Sequence, residues 1–74
     1  MNYKEFMSPE NTQVIRDRLV SVMYKNDFSM AKMAKDIGIS SVTICKFIRE
    51  DGEVNFLTLM KIEDFVVTHE KETA

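Results

Sequence analysis

Residues 30–48 hold two short apolar patterns of helical period, separated only by Gly38-Ile39-Ser40. No other feature restricts the fold of this chain as tightly. Before the link, Met30, Met33, Ala34 and Ile37 share one helix face. After it, Ile44, Phe47 and Ile48 share another. Ser29 and Ser40 stand where each helix would begin, and a serine hydroxyl accepts a hydrogen bond from an otherwise unpaired first-turn amide. Gly38 stands where the first pattern stops, and glycine takes the left-handed conformation that ends a helix at little cost. Ala34, four residues earlier, is small enough for two helices to approach closely.

The flanking segments are helical too. Ser8-Pro9-Glu10 combines an N-cap, a proline suited to the first helical position and an acid that complements the helix dipole. Val14, Ile15, Leu19, Val22 and Met23 then form one stripe, predicting a helix over 9–25 that Asn26-Asp27 interrupts. A helix over 41–50 is followed by the polar turn Glu50-Asp51-Gly52-Glu53. Asn55 caps a last helix whose buried face is Leu57, Met60 or Leu59, Ile62, Phe65 and Val66, ending near Thr68. No segment alternates with period two over a useful length. The expectation is an all-α domain of four to five helices. It would span 9–68, with an N-terminal extension at 1–8 and a polar tail at 69–74. Tyr3 and Phe6 would fold onto the core or a partner, Met30 would be the most exposed methionine, and His69 would be solvated.

Composition narrows the function. The 74 residues suffice for one small domain, and 45% hydrophobic content supports a core. The single cysteine, Cys45, excludes an internal disulfide and a cysteine-based zinc site. The apolar runs fall far short of the ~20 residues that span a bilayer. No apolar leader follows Met1, so the cytoplasm is the expected compartment. No carboxylate pair, nucleophile–base set or glycine-rich phosphate loop suggests an enzyme or a cofactor. The net charge of −2 speaks against a polyanion partner until it is divided along the chain. Residues 1–24 sum to zero, 25–49 to +3 and 50–74 to −5. The segment containing the two short helices is the basic one.

Two helices at a steep angle across a glycine-containing turn form a helix-turn-helix. The stretch Ser29-Met-Ala-Lys-Met-Ala-Lys-Asp-Ile-Gly-Ile-Ser-Ser-Val-Thr-Ile-Cys-Lys-Phe-Ile48 resembles the central signature of the phage repressor and Cro-like regulators. Residues 55–62 are similar to the helix that follows in that family, and the likeness extends over about 14–67. It implies a lambda-repressor-like domain that binds double-stranded DNA, usually as a homodimer, with the second helix of the pair in the major groove. With Ile44, Phe47 and Ile48 inward, Ser41, Val42, Cys45, Lys46 and Arg49 point outward. Ser41 and Val42 would meet base edges, the valine packing on a thymine methyl. Lys46 and Arg49 would read guanine or hold phosphate. Thr43, Lys32, Lys35 and the amides near Ser29 would hold the backbone. Ala34, Gly38, Ile39, Ile44 and Phe47 would carry the motif itself. Each lysine has the plainer reading of a solvated surface charge, and the serines that of caps alone. Where the family often has glutamine, this chain has Met30 and Ser41. A bidentate amide–adenine contact is therefore missing at those places. A long further helix for dimerisation is not expected either. Phe56, Val66 and Val67 are the candidates for a two-fold contact.

The leading expectation is a sequence-specific transcriptional regulator, a phage or prophage-like repressor. The alternative keeps the fold but uses it to bind or inhibit a protein partner. The acidic C-terminal third and the exposed Val42 and Met30 favour that alternative. A part in a packaging or recombination assembly is a third option.

Overall fold

The computed structural model describes residues 1–72 and forms five helices and no strand among them. They are α1 (Tyr3–Phe6), α2 (Pro9–Asn26), α3 (Met30–Ile37), α4 (Ser41–Ile48) and α5 (Phe56–Glu72). None is long and apolar enough to cross a membrane.

Local chemistry places the boundaries. The Ser8 hydroxyl accepts from the Asn11 amide at 3.2 Å, with Pro9 in the first turn of α2. Asp27 ends that helix in the left-handed region at φ 55°. The hydroxyls of Ser29 and Ser40 each accept an amide at 3.1 Å, from Lys32 and Thr43. Gly38 turns left-handed at φ 89°, and the amides of Gly38 and Ile39 both donate to the Ala34 carbonyl, at 2.9 and 3.0 Å. This closes α3 and launches α4 only three residues later. The Asn55 side chain accepts from the Thr58 amide at 2.8 Å and opens α5.

The core lies where α2, α3, α4 and α5 converge. It is built from Ile15, Leu19 and Val22 of α2, Met33, Ala34 and Ile37 of α3, Ile44 and Phe47 of α4, and Leu59, Ile62, Phe65 and Val66 of α5. No polar or charged residue is buried among the described residues. The pairs α2–α5 and α3–α4 make the most extensive contacts. Phe6, Met7, Ile39, Ile48 and Val54 seal the margins.

Several expectations shift. The stripes on α2 and α5 are narrower than drawn. Val14 is 51% exposed, Leu57 60% and Met60 44%, while Leu59 is fully buried. The inward rows are Ile15-Leu19-Val22 and Leu59-Ile62-Val66. Their i, i+3/i+4, i+7 spacing leaves Val14, Leu57 and Met60 facing out, while Phe65 widens the α5 row by one position. The N-terminal extension contains α1, whose Asn2 side chain caps the Glu5 amide at 2.8 Å. Its aromatic rings reach α5: Tyr3 lies 5.1 Å and Phe6 5.6 Å from the Phe56 ring, centroid to centroid. The polar tail expected at 69–74 is helical through Glu72, and residues 73–74 lie outside the described residues. Two long-range contacts extend α5. Arg18 of α2 forks onto Glu70 at 2.5 and 3.0 Å. The His69 ring, expected in solvent, is half-buried 4.4 Å from Phe65 and 5.1 Å from Phe28.

Candidate nucleic-acid interface

Helix α4 sits in the core by one face, with Ile44 fully buried and Phe47 5% exposed. Its other face carries the residues singled out for DNA. Ser41, Val42, Lys46 and Arg49 are all exposed, Val42 at 63%. Val42, Lys46 and Arg49 follow an i, i+4, i+7 row and so share one face. Neither Lys46 nor Arg49 forms an ion pair among the described residues. Arg49 is the C-cap, because α4 closes at Ile48 rather than running to 50. Glu50 then turns left-handed at φ 60°, and the Asp51 amide donates to the Lys46 carbonyl at 2.8 Å.

Other expected contacts are modified by local bonding. Thr43 is half-buried and its hydroxyl lies 2.8 Å from that of Ser40, so the pair caps α4 together. Cys45 and Met30, both expected outward, are half-buried against each other, Sγ to Sδ 3.4 Å. The reason is that α3 crosses α4 at this level, and the two soft side chains fill the gap. Lys32 bonds Asp36 at 2.9 Å, and its ammonium lies 5.3 Å from the Phe28 ring centroid. Much of its charge is thereby answered within α3. Lys35 is exposed and outside any ion pair among the described residues. Ser29 is a helix cap. Val66, expected at a two-fold contact, is fully buried in the core. Of that trio Phe56 is 38% exposed and Val67 half-buried.

Arg16 is the residue that the sequence reading passed over. From α2 its Nε donates to the Phe47 carbonyl in the last turn of α4 at 2.6 Å, and its guanidinium lies 4.8 Å from the Phe47 ring centroid. Nη1 donates to Gln13 at 2.7 Å and reaches Glu50 at 3.4 Å. A cation at a helix C-terminus meets the negative end of the dipole and a carbonyl with no intrahelical partner. The contact spans 31 positions and has no local signature.

Beside α4 runs an open cleft of about 640 Å³, between the start of α2, the Thr43–Lys46 side of α4 and the loop from Glu50 that leads to α5. Asp51 and Glu53 line it as well. Comparison with known protein families, curated proteins and solved structures finds no match.

Proposed function

We propose that this chain is a small DNA-binding regulator. Its α3–Gly38–α4 unit acts as a helix-turn-helix of the lambda-repressor-like kind, and α4 enters the major groove. One observation carries the reading. Helix α4 is anchored by Ile44 and Phe47, starts three residues after a glycine-closed helix, and presents Ser41, Val42, Lys46 and Arg49 to solvent. In that geometry Ser41 and Val42 lie at the end nearest base edges. Lys46 and Arg49 supply the charge-assisted contacts. Lys35, with Lys32, Thr43, Cys45 and Ser29 in lesser roles, holds the margins. The protein works as a binding protein in the cytoplasm, in the manner of a phage or prophage repressor. It acts as a homodimer through a surface that includes Phe56 and Val67.

The test is selection of bound duplexes from a random DNA pool, followed by titration of the enriched sequence at several salt concentrations. Affinity should fall by about 0.9 log units per log unit of salt for each phosphate neutralised. Lys46→Ala with Arg49→Ala should remove most of the affinity and leave the helical circular dichroism unchanged. A folded protein that enriches no sequence and binds no duplex refutes the reading.

A second reading, a protein-binding module on the same fold, is favoured by the exposed Tyr3, Leu57 and Met60. Capture of a stoichiometric partner from nuclease-treated lysate, abolished by Leu57→Glu, would select it.

A further inference from the structure

The charge around α4 is unequal on its two sides. On one side lies α3, with Met30 against Cys45. On the other lies the cleft, where Thr43 and Lys46 share a wall with Glu50, Asp51 and Glu53. The three acids are exposed. The Glu50 carboxylate lies 3.4 Å from the Arg16 guanidinium, and the loop is fastened to α4 by the Asp51 amide on the Lys46 carbonyl at 2.8 Å. Asp51 and Glu53 have no ion-pair partner among the described residues. A duplex lying over α4 carries a phosphate strand on each side of the helix. On the cleft side that strand would run past carboxylates.

We infer that Glu50, Asp51 and Glu53 weaken the hold of α4 on DNA by repulsion. They lower the affinity of α4 for any phosphate backbone, so that binding depends on contacts with the correct bases. This inference rests on the DNA-binding reading and deepens it. Like-charge juxtaposition weakens all duplexes alike, so the wall leaves the ratio of specific to non-specific affinity unchanged and raises the concentration at which any duplex is occupied; only a sequence rewarded by base contacts is then bound at low concentration. It also accounts for an acidic loop in immediate succession to Lys46 and Arg49, which form no ion pair among the described residues.

The experiment compares the full chain with the variant Glu50→Gln, Asp51→Asn, Glu53→Gln on labelled random-sequence duplexes of about 20 base pairs, between about 50 and 200 mM salt. A control variant, Asp17→Asn, Glu63→Gln, Asp64→Asn, undergoes the same change in net charge away from the cleft. Circular dichroism melting establishes that all three are folded. The cleft variant should bind about tenfold tighter or more at low salt, with the gain shrinking as salt rises. The control should gain less than about threefold. Binding by the wild-type chain with no gain in the cleft variant, or an equal gain in the control, overturns the inference and leaves the DNA reading standing. Binding by the cleft variant alone supports the inference, and the DNA reading of the wild-type chain is then decided by the selection from the random pool. Failure of all three folded proteins to bind any duplex refutes the DNA reading, and the inference with it.

Discussion

Replacing Arg16 with methionine should lower the melting temperature by about 8–16 °C, a magnitude that follows from its contacts. Methionine keeps most of the aliphatic stem and removes the guanidinium, so packing is largely retained. The lost hydrogen bond runs from a charged donor to the Phe47 carbonyl at 2.6 Å, and such bonds contribute about 1.5–3 kcal/mol. The Phe47 carbonyl also accepts the Glu50 amide at 3.2 Å. It is therefore not orphaned, and the lower end of that range applies. The guanidinium over the Phe47 ring adds about 0.5–1 kcal/mol. The Glu50 contact adds almost nothing, because that carboxylate is 64% exposed and 3.4 Å away. The total is about 2 kcal/mol, and a domain of this size loses about 4–8 °C per kcal/mol. Melting followed by far-ultraviolet circular dichroism measures it, with Glu50→Gln alongside, which should shift the midpoint by less than about 3 °C. The reasoning fails if Arg16→Met melts within about 3 °C of the parent, or if Glu50→Gln costs as much as Arg16→Met. Amide exchange should also quicken at Arg49, Glu50 and Asp51 in the arginine variant, since Arg16 ties that end of α4 to α2.

The remaining predictions concern the turn, the core and pH. Gly38→Ala should destabilise by about 1 kcal/mol in urea unfolding. A methyl group there meets nothing within 4 Å, so the cost is the backbone conformation at φ 89° alone. Leu59→Ala should cost about 2–5 kcal/mol, as a fully buried leucine leaves a cavity. Leu57→Ala, two residues away and 60% exposed, should stay within about 0.5 kcal/mol in the same assay. The hydrogen bond from Arg18 holds the Glu70 carboxyl below its usual range, against a weaker opposing effect of burial. A depressed carboxylate stabilises the fold above its unfolded value and loses that contribution as pH falls through the folded one. Between about pH 5 and pH 3 the wild-type melting temperature should therefore fall more steeply than that of Glu70→Gln. The raised value of Arg18 leaves its contribution intact throughout the neutral range.

Legibility followed the range of the interactions. The caps of the four longer helices, which depend on neighbours three residues away, were readable: Ser8, Ser29, Ser40 and Asn55 bond the amides their positions imply. Gly38 takes the positive φ that its place after Ile37 requires. Apolar periodicity identified which segments are helices, but not the rotation of each stripe to within one residue. Val14 and Leu57 sit beside the true inward rows and differ from them only by the position of the neighbouring helices. The short α1 escaped notice because four residues carry too little periodicity, and the Phe56 ring that it meets lies about fifty positions away.

The amino-acid sequence alone determines an all-helical chain, the tight α3–Gly38–α4 connection and the basic character of the segment around it, since caps, turns and charge are local properties. Tertiary structure decides which exposed residues remain available at α4. It draws Cys45 inward onto Met30, brings Arg16 across to close the helix at Phe47, and sets the carboxylates of Glu50, Asp51 and Glu53 along the same cleft as Lys46. It also carries α5 to Glu72 by joining Arg18 to Glu70 across 52 positions. These contacts depend on the angle and depth at which helices meet. Those are set by the joint packing of side chains from four helices, which no single stretch of sequence contains.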